Sequence, residues 1–274
     1  MLLIFGIALA AFFRRPPILI VTDLSFSLLY GPERLDSQIR RISFSFFRRV
    51  IPVLVDESAG PELVAIAAEE TYGQPWAIIF PYRYVDGARR YKEAMPEISV
   101  LVIGSSERLV LGAFTFVSTE FNTDLLRAAM AAALFTGEKR PLFYIDETLT
   151  FEQREILLQT LKDNGCLQEP VFLNTSSDYS SWSEIGCVIV AGPASAFVEQ
   201  NMDIPMILFS WVDPSLTPET VKVVFDDSYL TLAVEALKAP PEEVVFLPSS
   251  PLILRDRIEE KGIYSKLKDI LRKK

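Results

Sequence analysis

Six short runs of apolar residues constrain the fold of this chain more than any other feature. They are Ile18–Asp23, Val50–Asp56, Trp76–Phe80, Val100–Gly104, Leu142–Asp146 and Cys187–Gly192. Continuous apolar runs of this length, without alternating polar residues, are typical of strands that helices cover on both faces, as in a parallel sheet. Most of the runs precede a stretch with a helical pattern, so the sequence predicts an α/β fold built from repeated strand–helix units.

The repeated units form two series. Four units fill the first half of the chain. A strand-like run, Leu109–Val117, and an apolar helix, Asp124–Phe135, then interrupt the pattern. A second series of strands begins at Leu142. Because 274 residues lie near the size at which one core splits into two, we expect two strand–helix domains that join at about residue 117.

Composition argues against several classes of function. The net charge is −9 and the pI is about 4.8, whereas nucleic-acid binding needs a basic face. The chain has no histidine, which excludes Ser-His-Asp and Cys-His mechanisms and disfavours zinc. No phosphate-binding glycine motif occurs. The sequence therefore predicts no catalytic residue, cofactor or metal.

An enzyme that uses carboxylates is the weakest interpretation of this chain. The acidic pairs Asp56-Glu57 and Asp226-Asp227 are adjacent in sequence. On a strand, adjacent side chains point to opposite faces, which is poor geometry for a shared acid and base. The two cysteines, Cys166 and Cys187, have no CxxC spacing and are expected on separate elements, which favours free thiols.

The N-terminal segment carries information about location. Residues from Leu2 to Phe13 are apolar, and Arg14-Arg15-Pro16-Pro17 follow. Twelve helical residues span only about 18 Å, against roughly 30 Å of bilayer hydrocarbon. The length suits the apolar region of a signal sequence, and Ala8-Leu9-Ala10 offers a cleavage pattern, but no positive charge precedes the run. Three interpretations remain: a signal or anchor with a clipped start, which we favour, a poor membrane anchor, or a buried segment.

The segment Val244–Asp256 carries a more specific signal. It reads Val-Val-Phe-Leu-Pro-Ser-Ser-Pro-Leu-Ile-Leu-Arg-Asp, with Leu-Pro, two small residues, an apolar run and an arginine. This string resembles the carboxyl end of the ligand-binding core of lactose-repressor-type regulators and of type I periplasmic binding proteins. Tyr84–Tyr91, which precedes a strand, and Phe121–Ala133 look like the same superfamily.

The resemblance implies two Rossmann-like lobes, each a parallel sheet flanked by helices, joined by a three-strand hinge. Lobe one would comprise residues 17–116 and 219–239, and lobe two residues 117–218 and 240–274, after an apolar signal or anchor segment at 1–16. Repressors carry a helix-turn-helix ahead of lobe one. Only an apolar leader stands there in this chain, so we expect no DNA-binding domain and no nucleic-acid partner.

The resemblance also implies where a ligand binds. In this superfamily it lies in the cleft between the lobes and is buried when the hinge closes, and strand ends face the cleft. The candidate ligand-binding residues are Asp23, Ser25, Phe26, Asp56, Tyr82, Arg83, Ser105, Phe121, Asn122, Asp146, Trp211 and Asp226. Carboxylates accept hydrogen bonds from hydroxyl groups, Arg83 suits an anionic group, and aromatic rings stack on a ligand ring. Each Asp or Ser also has a local alternative role as a helix cap or turn residue.

One departure from the superfamily leaves two functions open. Many sugar binders carry an Asn-Asp or Asp-Arg pair where this chain has Asp146-Glu147-Thr148 and Gly192-Pro193-Ala194. We expect an extracytoplasmic solute-binding protein, anchored at the membrane by its N-terminus, that captures a sugar, nucleoside or similar polar molecule for an ABC permease or membrane sensor. The alternative is a non-transport interaction or sensory protein that keeps the two-lobe scaffold with a degenerate pocket.

Overall fold

The structure, a computed structural model, describes residues 10–104, 114–145, 149–173, 181–191, 203–241 and 243–272. The chain forms two compact units. Unit 1 consists of Met1–Thr119 and Ser228–Leu247, and unit 2 of Glu120–Asp227 and Pro248–Lys274. The chain therefore crosses from one unit to the other three times.

Strands and helices alternate along most of the described chain. The strands are β1 (Ile18–Asp23), β2 (Val50–Val55), β3 (Ala77–Pro81), β4 (Ser99–Gly104), β5 (Thr115–Thr119), β6 (Arg140–Ile145), β7 (Val171–Leu173), β8 (Ile185–Ala191), β9 (Met206–Phe209), β10 (Val221–Asp226), β11 (Val244–Leu247) and β12 (Ser250–Ile253). The helices are α1 (Leu24–Tyr30), α2 (Pro32–Phe46), α3 (Pro61–Thr71), α4 (Val85–Ala94), α5 (Phe121–Thr136), α6 (Phe151–Asp163), α7 (Tyr229–Ala236) and α8 (Lys261–Arg272).

Unit 1 is built on a six-stranded sheet with the order β11-β5-β4-β3-β1-β2. All of its pairs are parallel. Every residue of β1 is buried, because helices cover both faces of a central parallel strand. Leu19, Val21 and Phe80 pack with residues of α3 and α4 in one core. This arrangement confirms the prediction from the continuous apolar runs.

Unit 2 has a second six-stranded sheet with the order β12-β10-β9-β8-β6-β7. Among the described strands of this sheet, β12 runs antiparallel, against β10, and the other pairs are parallel. Its main core joins the sheet to α5, α6 and α8. Gly186 allows β8 to start directly beneath α5, since a Cβ there would lie 2.3 Å from the carbonyl oxygen of Thr136.

The division of the chain differs from the lobe boundaries expected from the sequence. Residues 221–226, which we assigned to lobe one, form β10 and pair with β9 and β12 in unit 2. Residues 244–247, which we assigned to lobe two, form β11 and pair with β5 in unit 1. The reason is that hydrogen-bonding partners decide to which sheet a strand belongs, and an apolar strand suits either sheet. The expected strand Leu109–Val117 is described only from residue 114 onward, where β5 begins at Thr115.

Both cysteines are free and buried, which confirms the expectation of free thiols. Burial raises the pKa of Cys166 and of Cys187, so neither favours the reactive thiolate. At the N-terminus, residues 10–14 are helical. Within the described part of the chain, no helix is both long enough and apolar enough to cross a bilayer.

Candidate functional site

The carboxyl edge of the unit 1 sheet brings several predicted residues together. Asp23 is the last residue of β1, and β1 lies beside β3 in the sheet. Tyr82 and Arg83 directly follow β3 in a short turn of 3-10 helix. Because the strands are parallel, their carboxyl ends meet at one edge.

Asp23 is almost completely buried, with 1% of its surface exposed. One carboxylate oxygen caps α1 by accepting the backbone N–H of Phe26 at 2.9 Å. The other accepts the hydroxyl of Tyr84 at 3.1 Å and pairs with Nη1 of Arg83 at 3.0 Å. Burial and the charge of Asp23 raise the pKa of Tyr84 to about 12, so Tyr84 donates as a neutral phenol. The carboxylate of Asp23 therefore acts as a helix cap and as a support for Arg83.

Phe26 belongs to an aromatic layer inside unit 1. Its ring stacks on Tyr30 at 5.0 Å and packs against Tyr229 at 4.8 Å between ring centroids. The hydroxyl of Tyr229 donates to the carbonyl oxygen of Val21 at 2.9 Å. Phe26 thus packs α1 against α7, and Tyr229 joins α7 to β1. The ring of Phe26 is buried among these protein contacts.

Arg83 and Tyr82 keep part of their surface accessible. The side chain of Arg83 is 46% exposed although its Nη1 is held by Asp23. Tyr82 is half-buried and meets the ring of Phe116 edge-on at 6.0 Å. Gly104 makes room for this tyrosine, since a Cβ at that position would lie 2.3 Å from its Cβ. These two residues form the candidate binding surface of unit 1.

The other predicted residues of unit 1 have local roles or fall outside the description. Asp56 is exposed and accepts the backbone N–H of Ser58 at 2.8 Å and its hydroxyl as well. These hydrogen bonds lower the pKa of Asp56, as in an Asx turn. Ser25 is half-buried within α1. Ser105 lies outside the described residues.

The predicted residues of unit 2 are dispersed over several elements. Phe121 packs on Phe209 at 5.6 Å between centroids. The exposed Asn122 accepts Nε2 of Gln153 at 2.8 Å, and this glutamine also forms the capping box of α6. Trp211 is half-buried, Asp226 at the end of β10 is 3% exposed, and Asp146 lies outside the described residues. Among the side chains that the structure describes, no cluster of three or more acidic or cysteine residues could hold a metal ion.

Solved structures match this chain over almost its whole length. A solute-binding protein of an ABC transporter from Conexibacter woesei is 9% identical, with a TM-score of 0.58 over 94% of this chain and 95% of that one. A transcriptional activator of the comK gene from Bacillus halodurans is 11% identical, with a TM-score of 0.60 over 93% and 95%. A periplasmic ribose ABC transporter structure from Conexibacter woesei is 12% identical, with a TM-score of 0.55 over 92% and 97%.

The chain has the type I periplasmic binding protein fold. This confirms the fold that the resemblance of Val244–Asp256 implied. The prediction of two parallel sheets flanked by helices holds except at β12, which pairs antiparallel with β10. No protein-family model matches the sequence, and no curated protein matches it.

The type I fold of this chain contains a buried ionic cluster in unit 2 that the sequence analysis missed. Asp124, in the first turn of α5, accepts Nη1 of Arg127 at 2.9 Å and the backbone N–H of Ser249 at 2.8 Å. The same Nη1 lies 3.3 Å from the carbonyl oxygen of Ser249, and Nη2 donates to the carbonyl oxygen of Leu271. The cluster therefore ties α5 to the segment after β11 and to the last turn of α8. The sequence did contain a signal for this pair, since Asp124 and Arg127 are opposite charges three residues apart in a helix rich in alanine and leucine.

Unit 2 contains another carboxylate, Asp227, whose pKa is raised. Oδ1 of Asp227 is buried and has no hydrogen-bond partner in the described structure. Burial, with the nearby charges of Asp226 and Asp124, raises the pKa of Asp227 to about 7. Asp227 therefore titrates near neutral pH, at the point where the chain leaves unit 2 for unit 1.

Proposed function

We propose that the protein is an extracytoplasmic solute-binding protein that captures a small polar molecule, such as a sugar or nucleoside, for an ABC permease or a membrane sensor. The N-terminal apolar segment would hold it at the membrane. The fold that the chain shares with ABC solute-binding proteins supports this proposal. The observation that carries it is the half-exposed side chain of Arg83, which pairs with the buried carboxylate of Asp23 at the carboxyl edge of a parallel sheet.

The geometry suits binding of an oxygen-rich ligand. Asp23 fixes one nitrogen of Arg83 at 3.0 Å, which leaves its other N–H groups to donate to a ligand. The half-buried ring of Tyr82 offers an adjacent apolar face, and sugar and nucleoside rings pack on such faces. We propose binding and release of an unchanged ligand, without catalysis.

One observation favours the alternative function, a non-transport interaction or sensory protein with a degenerate pocket. Two carboxylates that we expected to bind ligand hydroxyls already have local partners. Asp23 already accepts from Phe26, Tyr84 and Arg83 and is almost completely buried, and Asp56 closes a turn. A ligand at this edge must therefore be recognised mainly through Arg83 and Tyr82.

A thermal-shift screen with sugars, nucleosides and amino acids separates the two functions. A ligand that binds only the folded protein stabilises it by about 2.7 kcal/mol at one hundred times its Kd. We expect at least one compound to raise the Tm, Arg83→Gln to remove that shift, and Arg89→Gln, at an exposed arginine of α4, to retain it. A Tm that no compound changes would favour the alternative function.

A further inference from the structure

Basic charge is concentrated at the amino edge of the unit 1 sheet. Arginine pairs precede β1 and β2, and a third pair lies on the last turns of α2. We call the following residues the basic edge: Arg14, Arg15, Arg40, Arg41, Arg48 and Arg49. Residues 10–17 and 40–49 contain no acidic side chain, in a chain whose net charge is −9. This local reversal of charge indicates an anionic partner.

Arginines of the basic edge pack against aromatic side chains. Cζ of Arg48 lies 4.6 Å from the ring centroid of Trp76, and Nη1 donates to the carbonyl oxygen of Pro16 at 2.8 Å. Trp76 in turn packs on Phe46 at 5.5 Å. Arg48 thereby joins the starts of β1, β2 and β3 into one surface.

A second set of contacts holds the N-terminal helical turn on the same surface. Cζ of Arg15 lies 5.3 Å from the ring centroid of Phe47, and the ring of Phe12 meets Phe47 at 5.4 Å. Cζ of Arg49 lies 6.0 Å from the ring of Phe13. The apolar run of the sequence therefore ends on the basic edge itself.

The arginines of the basic edge have few counter-charges among the described residues. Arg40 forms a long, exposed pair with Asp36 at 3.9 Å, and the other five form no ion pair within the described part of the chain. Burial and repulsion by Arg15 lower the pKa of Arg48. Nε of Arg49 is buried without a hydrogen-bond partner there. Anions from outside the chain would relieve this repulsion.

Exposed aromatic rings distinguish the kind of anion. Phe44, one turn after Arg40 and Arg41 on α2, is 83% exposed, and Phe13 is 56% exposed. Phe47 and Trp76 are also exposed. Arginines meet lipid phosphates while aromatic rings enter the interfacial layer, so this combination suits a bilayer surface. A nucleic-acid backbone would use the arginines but would leave these phenylalanines in water.

We propose that the basic edge docks unit 1 on an anionic lipid bilayer. All strands of this sheet are parallel, so the docked edge is the one opposite to Asp23 and Arg83. Docking therefore leaves the candidate binding surface of unit 1 accessible. The proposal goes beyond solute binding and does not depend on it.

Vesicle binding of the full-length protein tests this docking surface. We expect tighter partitioning onto vesicles of phosphatidylcholine with phosphatidylglycerol than onto phosphatidylcholine alone, and weaker partitioning in high salt. The double variant Arg40→Gln/Arg41→Gln should lower the partition coefficient on anionic vesicles by about tenfold or more. The matched control is Arg89→Gln/Arg90→Gln, an exposed arginine pair on α4 of the same unit, which should change partitioning by less than about twofold.

Two further measurements locate the contact. Phe44→Ser should weaken binding severalfold, whereas Phe151→Ser, at an equally exposed phenylalanine of unit 2, should not. Brominated lipids should quench tryptophan fluorescence in the wild type, and Trp76→Phe should remove that quenching.

Three results would overturn the proposal. They are equal losses in the two arginine double variants, no preference for phosphatidylglycerol, and tighter binding of a homopolymeric RNA than of anionic vesicles through Arg40 and Arg41. The thermal-shift screen with solutes uses no vesicles, so its outcome is independent of this one.

Discussion

The two units each contain a buried aspartate paired with an arginine, and the two pairs differ in how much of the arginine remains accessible. In unit 1, Asp23 holds Arg83, whose side chain remains 46% exposed. In unit 2, Asp124 holds Arg127, whose side chain is only 10% exposed and donates to two backbone carbonyls besides. The same pair of residue types therefore leaves the arginine side chain accessible to a ligand in unit 1. In unit 2 it buries the arginine, whose N–H groups stabilise the fold.

Among the predicted effects on unfolding free energy, removal of Arg127 should have the largest. Arg127→Met leaves Asp124 buried without its cation, and breaking a buried pair costs about 3–5 kcal/mol of unfolding free energy. Urea unfolding measures this loss. Because Asp124→Leu/Arg127→Met removes both charges, the double variant should recover part of it. A cost below about 1 kcal/mol for Arg127→Met would show that the cluster does not stabilise unit 2 as a buried ion pair.

Asp227 should make the unfolding free energy depend on pH. Its folded-state pKa is raised to about 7, so the folded protein binds this proton more tightly than the unfolded chain does. The stabilisation is complete below the unfolded-state pKa and is lost as pH rises through 7. Between pH 5 and pH 8 we expect a decrease in unfolding free energy on the order of 2 kcal/mol from this group.

Asp227→Asn provides the measurement for that expectation. The variant should be more stable than the wild type at pH 8 and should lose most of the decrease between pH 5 and pH 8. Asp56→Asn, at an exposed aspartate whose pKa is lowered, should keep the wild-type decrease. Parallel stability–pH curves for wild type and Asp227→Asn would contradict the assignment.

Removing Arg83 should have the smallest effect on stability and the clearest effect on binding. Arg83→Met leaves Asp23 with its hydrogen bonds from Phe26 and Tyr84, so we expect a cost of about 1 kcal/mol. Any solute that raises the Tm of the wild type should no longer do so. If Arg83→Met lowers the unfolding free energy as much as Arg127→Met does, both arginines stabilise the fold equally and the proposed difference between the two pairs is wrong.

Much of the fold was predictable because its signals are local. The apolar runs Ile18–Asp23 and Val100–Gly104 became β1 and β4 with nearly the expected bounds, since burial on both faces leaves a continuous apolar pattern. The pattern does not state which sheet a strand joins. That is why β10 and β11 were assigned to the opposite units.

The sequence predicted that Asp23 and Arg83 lie at one edge of the sheet, but not the contacts that they make there. Carboxyl ends of strands placed Asp23 and Arg83 correctly at one edge. The helix cap that Asp23 forms with Phe26 is a local contact. Its contact with Tyr84, 61 residues away in the sequence, is not a local one and could not be predicted. The same holds for Asp124, whose partner Ser249 is 125 residues distant.

By itself the sequence determined the α/β class, the strand–helix rhythm and the absence of histidine chemistry, because these follow from residue types and short-range periodicity. Only the tertiary structure decided the strand partners, the difference between the two aspartate–arginine pairs and the meeting of three arginine pairs on one edge. The physical reason is that hydrogen-bond partners, burial and electrostatic neighbours come from residues far apart along the chain, and these determine what each charged side chain can still bind.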